Sequence, residues 1–171
     1  MKEYTILKNW HYAFFLFERL FGWYYGRQLF LIKFKFSNEC WWGAPRNIDD
    51  QDLNKLIGLS FGYIHKNSVR LAWKPNFDKP NIISVFAYIY DSSSNKFISK
   101  YMCDVETNKD YMCYLNLHDS EEYVFNVLGI GTYEIDNITK DKKIQKLLYP
   151  YFGGNNAAPQ KMKIWAELKY A

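Results

Sequence analysis

The sequence predicts an all-β protein, a sandwich of two antiparallel sheets with one or two short helical turns. Three observations support this fold class. Aromatic residues make up 20% of the chain, and aromatic side chains are typical of half-buried strand surfaces. Apolar residues alternate strictly over 162–170, which is the period of a two-faced strand. The predicted strands also follow one another at the short, even spacing of a β-sandwich.

The strand pattern begins near the N-terminus and continues to the last residues. Residues 10–17 and 23–25 are almost uniformly aromatic, and we interpret both as strands because Gly22 and Gly26 lie at turn positions. Residues 29–36 alternate, with Ile32 directed inward and Lys33 outward. Alternation or β-branched and aromatic content predicts six further strands before the last one: 68–73, 82–90, 97–105, 110–117, 123–128 and 144–149.

Two segments are predicted to lie outside the strands. Three acidic residues at 49, 50 and 52 precede Leu53, Leu56 and Ile57, and this is an N-cap followed by helical spacing that stops at Gly58. One or two helical turns are therefore expected there. Residues 129–143 are polar and mixed, which favours a surface excursion.

Composition indicates one domain and excludes several function classes. A chain of 171 residues with 49% hydrophobic content forms one core, so we expect a single domain over 1–171, with 1–28 as an N-terminal extension that contributes strands. The net charge of +4 is dispersed, which argues against a nucleic-acid partner. No apolar run is long enough for a signal peptide or a membrane span, so we expect synthesis in the cytoplasm and no membrane partner.

The cysteines do not indicate a metal or a disulfide framework. Cys40, Cys103 and Cys113 are an odd number without a paired short spacing. We therefore expect reduced, buried thiols, no metal site and no cofactor.

Three residues are candidates for ligand binding from their position alone. Arg70 alternates away from its apolar neighbours, so it can hold a carboxylate or sugar hydroxyls, unless it is a surface arginine paired with an acidic side chain. His65 lies in a predicted turn, where it is either a base or bonded to the backbone. Trp42 follows Trp41, and one of the two is either a stacking platform for sugar rings or part of the edge of the core.

Three sequence blocks carry a resemblance to known proteins. They read NKL-G-S-G from Asn54, H-NS-R--W from His65 and YFGG---AP from Tyr151. In this order they resemble a group of uncharacterised proteins from gut bacteria and their crAss-like tailed phages. The resemblance covers roughly residues 30–170. It implies no particular reaction.

The last block also resembles the end of concanavalin-A-like (jelly-roll, lectin-like) sandwiches, which include polysaccharide lyases and glycan-binding modules. In those folds the strand with the aromatic-Gly-Gly element lies on the curved inner sheet. The resemblance therefore implies that Tyr151 or Phe152 lines a groove, with Asn155 beside it. If it implies a lyase, the residue types for base and carboxylate neutralisation are present at His65, Arg70, Tyr151 and Asn155.

The sequence contains no catalytic signature, so we expect a protein that is not an enzyme. The phage resemblance and the excess of aromatic residues favour a structural or adhesion protein of a phage particle, such as a capsid decoration or a head or tail component. Its partners would be other virion proteins or a second copy of itself, and its location the virion. A glycan-binding module is the alternative, with a polysaccharide lyase as the third interpretation.

Overall fold

The chain folds into two six-stranded antiparallel sheets, as the sequence predicts. The structure, a computed structural model, describes residues 1–13, 22–62, 67–91, 94–118, 121–139 and 143–171. In this part of the chain, the only helical elements are two 3-10 turns, Asn38–Cys40 and Ile48–Gln51. The fold class is therefore confirmed.

Twelve strands build the two sheets. In chain order they are β1 (Lys2–Ile6), β2 (Trp23–Tyr25), β3 (Leu29–Phe36), β4 (Asn54–Phe61), β5 (Ser68–Pro75), β6 (Ile82–Asp91), β7 (Lys96–Glu106), β8 (Tyr111–Asn116), β9 (Glu122–Val127), β10 (Gly131–Asp136), β11 (Ile144–Leu148) and β12 (Met162–Tyr170). The first sheet has the order β1-β12-β3-β8-β9-β10, and the second sheet has the order β2-β11-β4-β5-β6-β7.

The core lies between the inner faces of the two sheets. The even-numbered residues of β12 from Met162 to Leu168 are buried, as the alternation predicts. Trp73 of the second sheet packs against Phe36 of the first, with ring centroids 5.1 Å apart. Each large apolar side chain buried in this way contributes about 1.5–3 kcal/mol to folding. The C-terminal strand and the aromatic core therefore hold the two layers together.

The helix predicted after residue 52 is wrong, because residues 54–61 form the central strand β4. The helical turn ends earlier, at Gln51. A β-bulge between Lys55 and Ile57 shifts the register, so the consecutive residues Leu56 and Ile57 are both buried. That local pattern imitates the i, i+3, i+4 spacing of a helix.

The surface excursion predicted over 129–143 is also corrected, because it contains β10. This strand pairs with β9 at the edge of the first sheet. Of its side chains, Ile135 is buried and Thr132, Glu134 and Asp136 are exposed. An edge strand needs few apolar residues, which is why its composition looks like that of a loop.

The N-terminal predictions are confirmed only in part. Trp23–Tyr25 is a strand, and Lys2–Ile6 forms an additional one at the edge of the first sheet. In the predicted strand 10–17, residues 14–17 lie outside the described residues. Before them, Tyr12 and Ala13 form isolated bridges with Tyr151 and Ile6.

The three cysteines are free and buried, as expected. Burial raises the pKa of the Cys40 thiol to about 12, so it stays protonated and behaves as a small apolar side chain.

Within the described residues, no helix has the length and apolar character needed to cross a membrane.

Candidate ligand-binding site

The outer face of the second sheet has a floor of small side chains on its two central strands. Ala72 on β5 faces outward, since it alternates with the buried Leu71 and Trp73, yet it is fully buried. Its cross-strand neighbours Lys55 on β4 and Phe86 on β6 are much larger and stand on either side. The outer face at Ala72 is thus a shallow trough between Lys55 on β4 and Phe86 on β6.

Arg70 lies in this trough, with its side chain packed against Gly58 of the neighbouring strand. In the cross-strand register it is opposite Gly58 on β4 and Tyr88 on β6. A Cβ atom at Gly58 would lie 2.9 Å from Cγ of Arg70 and 2.2 Å from the carbonyl oxygen of Val69. Only glycine leaves room for the arginine stem and for close strand pairing here.

The guanidinium of Arg70 is buried, and the described ranges place no carboxylate against it. The residue is only 9% exposed, and its Nε has no hydrogen-bond partner among the described residues. Burial lowers the pKa of Arg70 to about 10, while the nearby Tyr88 favours the charged form. No ion pair joins Arg70 to a carboxylate in the described ranges. Arg70 is therefore not a surface arginine paired with an acidic side chain, which was the alternative interpretation of the sequence. A buried cation of this kind lowers stability unless an anion reaches it.

Lys55 brings a second cation to the same place. Its ammonium donates to the carbonyl oxygen of Leu53 at 2.7 Å and lies 4.9 Å from the ring centre of Tyr88. Burial and the charge of Arg70 lower the pKa of Lys55 to about 8, and Asp52 opposes part of this shift. Lys55 and Arg70 therefore repel each other across the trough, and both would be stabilised by a bound anion.

Tyr151 forms the flank beside Lys55. The two residues exchange backbone hydrogen bonds of 2.8 and 2.9 Å, which places Tyr151 next to β4. The ring of His11 stacks on the Tyr151 ring at 5.5 Å, and the Tyr12 ring packs edge-on at 4.9 Å. A group of three rings thus lies beside the part of β4 that carries Lys55.

A buried carboxylate fixes the loop that follows Tyr151. Asp50 accepts hydrogen bonds from the Arg46 guanidinium at 2.7 and 2.9 Å, and from the Asn156 amide at 2.7 Å. The side chain of Asp50 is fully buried, and the hydrogen bonds from Arg46 lower its pKa to about 2. The Gly153 N–H donates to the Asn54 side-chain oxygen at 2.5 Å. We call Asp50, Arg46 and Asn156 the loop latch.

Of the five predicted site residues, Arg70 and Tyr151 lie on opposite sides of β4, where Arg70 is opposite Gly58 and Tyr151 pairs with Lys55. Trp42 is half-buried and packs against Phe77 and Phe152, so it lies with the core and not in the trough. Asn155 is exposed in the loop beside the latch. His65 lies outside the described residues.

Sequence reasoning missed Lys55, Tyr88 and His11. Lys55 was assigned to a helix, which removed it from the strand next to Arg70. The alternation of Phe86, Tyr88 and Tyr90 in the predicted strand 82–90 is the signal that could have shown an aromatic outer face. Nothing in the sequence indicates that His11 reaches Tyr151.

Metal binding has no support in the described part of the chain, which contains no group of three His, Cys, Asp or Glu side chains arranged to hold an ion.

Comparison with known proteins identifies the fold but no family. No family model matches the chain, and no curated protein matches it. Among solved structures, an alginate lyase from Klebsiella pneumoniae aligns with a TM-score of 0.59 and 6% identity over 84% of this chain and 60% of that one. Alginate lyase AlyC3 aligns with a TM-score of 0.55 and 11% identity over 98% and 69%. The polysaccharide lyase family 18 enzyme aly-SJ02 aligns with a TM-score of 0.50 and 7% identity over 96% and 82%.

These similarities establish a jelly-roll β-sandwich of the alginate lyase type. At this level of identity they show the shared fold and no shared reaction. The resemblance to gut-phage proteins, the role in a phage particle, the homo-oligomer and the virion location stay predictions from the sequence.

Proposed function

We propose that the protein binds an acidic polysaccharide in the trough of the second sheet, without cleaving it. The observation that carries this proposal is Arg70, a buried guanidinium whose Nε has no hydrogen-bond partner in the described residues. It lies on the outer face of the second sheet with the ammonium of Lys55 in electrostatic reach.

The chemistry of the trough fits a sugar carboxylate. A guanidinium binds a carboxylate through paired, charge-assisted hydrogen bonds, and an ammonium adds a third donor. Aromatic rings such as those of Tyr151 and Tyr88 offer faces on which the C–H side of a sugar ring can pack. Cations that bind the carboxylate and aromatic rings that pack on the sugar ring are therefore the two kinds of contact that a uronic acid needs.

The direct test is binding to a panel of polysaccharides that differ in charge. Alginate, polygalacturonate and hyaluronan serve as acidic ligands and dextran as the neutral one, with affinities measured by calorimetry. We expect binding of at least one acidic polymer and none of dextran. Arg70→Met should weaken that binding by about 10- to 100-fold, since a hydrogen bond to a charged group contributes about 1.5–3 kcal/mol.

A matched control lies on the other sheet. Lys163 on β12 pairs with Glu3 at 3.1 Å on the outer face of the first sheet, so Lys163→Met removes one positive charge without touching the trough. Its affinity should equal that of the wild type. If Arg70→Met also binds like the wild type, or if no acidic polymer binds, the proposal is wrong.

A lyase-like elimination is the second candidate, favoured by the position of Tyr151 beside Lys55 and His11. In such a reaction a base removes the proton next to the carboxyl group, a cation stabilises the charge that develops, and the C–O bond on the adjacent carbon breaks to leave an unsaturated sugar. The ultraviolet absorbance of that product measures the reaction. Absorbance that rises with the wild type and not with Tyr151→Phe would establish an enzyme in place of a binding protein.

A further inference from the structure

A ledge of aromatic side chains lies on the same outer face as Arg70, along the last two strands of the second sheet. Residues paired across antiparallel strands point to the same face. Tyr88 on β6 is opposite Arg70, and Phe86 is opposite Ala72. On β7, Tyr101 is opposite Phe86, and Phe97 is opposite Tyr90. The aromatic ledge therefore consists of five residues: Phe86, Tyr88, Tyr90, Phe97 and Tyr101.

The two rings on β7, Phe97 and Tyr101, are exposed, and each packs against a ring on β6. Phe97 is 60% exposed and Tyr101 is 53% exposed. The Phe97 ring is stacked on Tyr88 at 5.9 Å, and the Tyr101 ring packs edge-on against Phe86 at 5.6 Å. Rings that are held in place and remain open to solvent on an edge strand are typical of binding surfaces.

The ledge is continuous with the anion-binding trough through one residue, Tyr88. Its ring contacts the Lys55 ammonium on one side and the Phe97 ring on the other. From β5, which carries Arg70, to β7, which carries Phe97, the distance is two strand spacings, or about 10 Å. A single sugar ring bound at Arg70 does not reach that far, whereas a short oligosaccharide does.

We propose that the ligand is an extended acidic glycan that crosses the strands of the second sheet, with a carboxylate at Arg70 and Lys55 and a sugar ring at least two units further along the chain on Phe97 and Tyr101. This inference rests on the proposed function and adds the direction and minimum length of the ligand. A uronic acid chain presents both chemistries in turn, since each sugar has a charged group and an apolar C–H face. The trough matches the charged group, and the exposed rings match the apolar C–H face.

The test compares a short and a long ligand on ledge variants. The probes are a disaccharide and a hexasaccharide of hexuronic acids derived from alginate, titrated into the wild type and into the double variant Phe97→Ala, Tyr101→Ala. We expect the affinity for the hexasaccharide to fall about tenfold, because two stacking rings are lost. The affinity for the disaccharide should not change.

Two further variants control this result. Phe97→Leu with Tyr101→Leu keeps apolar surface but removes the rings, and it should lose the same affinity as the alanine variant. Tyr170 on β12 is 55% exposed and lies on the other sheet, so Tyr170→Ala should bind both probes like the wild type.

Three outcomes would overturn the inference. If the wild type binds both probes and the ledge variants bind the hexasaccharide equally well, the trough binds glycan but the ledge does not. If the wild type sediments as a dimer and the ledge variants as monomers, the ledge is occupied by a second copy of the chain. If the wild type binds neither probe nor any acidic polymer, the proposed function itself is wrong.

Discussion

Two regions of this protein bury a charged group, and they treat it in opposite ways. In the loop latch, the carboxylate of Asp50 receives hydrogen bonds from Arg46 and Asn156, and the pKa of Asp50 is lowered to about 2. In the trough of the second sheet, the described residues that act on the charge of the Arg70 guanidinium are Tyr88 and another cation, Lys55, and the pKa of both cations is lowered.

The difference separates a charge that serves the fold from one that, under the proposed function, binds a ligand. A buried charge with several partners repays part of its desolvation cost, and removing it leaves those partners unsatisfied. Removing a buried charge that has no counterion breaks no ion pair, and it removes the cost of desolvating that charge. The two regions should therefore respond to mutation with opposite signs of stability change.

The largest effect is expected in the loop latch. Asp50→Asn should lower the free energy of unfolding by about 2 kcal/mol at pH 7, since a pKa depressed from 3.8 to about 2 corresponds to roughly that much stability. The contribution is present above the unfolded-state pKa and is lost as the pH falls from about 4 to about 2. Urea unfolding of variant and wild type should therefore converge near pH 2. Asp49→Asn in the same turn is the control, and a variant difference that persists at pH 2 would contradict the role of ionised Asp50.

The next effect is a gain of stability in the trough. Arg70→Met removes the buried cation and keeps an unbranched side chain over Gly58, so the free energy of unfolding should rise by about 1 kcal/mol in the absence of ligand. Thermal unfolding of the wild type, Arg70→Met and Arg70→Lys measures this, and the lysine variant should show no gain. A destabilised Arg70→Met would mean that the arginine supports the fold, as Asp50 does.

The pH dependence of binding sharpens the comparison further. The pKa of Lys55 is lowered to about 8, so the free protein loses this positive charge as the pH rises above 8. The affinity for an acidic glycan should therefore fall between pH 7 and pH 9, by about tenfold for one charged contact. Arg70, whose pKa is lowered to about 10, keeps most of its charge up to pH 9. Burial raises the pKa of both Tyr88 and Tyr151, so neither phenol accounts for a change in this window. In Lys55→Met the affinity should be lower and independent of pH over this range, and an unchanged pH profile would exclude Lys55 from the site.

The smallest effect is expected on the outer face of the first sheet. There the Lys163 ammonium and the Glu3 carboxylate are 3.1 Å apart with 41% of each side chain exposed. An exposed pair of this kind contributes about 0–1 kcal/mol, so Lys163→Met should leave the free energy of unfolding nearly unchanged. A double-mutant cycle with Glu3→Gln measures the coupling. A coupling energy as large as the stability loss expected for Asp50→Asn would show that an exposed ion pair can contribute as much as a buried one.

Local pattern predicted most of the strands but failed where position in a sheet mattered. The alternation of β3 and β12 was read correctly because one face of each strand packs on the core and the other meets solvent. β4 was mistaken for a helix because it is a central strand buried on both faces with a bulge at Lys55. β10 was mistaken for a loop because an edge strand has little apolar surface to bury.

The sequence by itself determined most of the strands and the outward direction of Arg70, since alternation depends on neighbours within a few residues. The spacing of the strands along the chain predicted the sandwich, and the number and spacing of the cysteines predicted free thiols. Only the tertiary structure decided that Lys55 and Tyr88 lie beside Arg70 and that Tyr151 closes the flank. These residues come from separate strands and from the segment after β11, and strand order and register bring them to one face. The burial of Arg70 is likewise a property of the assembled sheet, because the desolvation of a charge is set by everything packed around it.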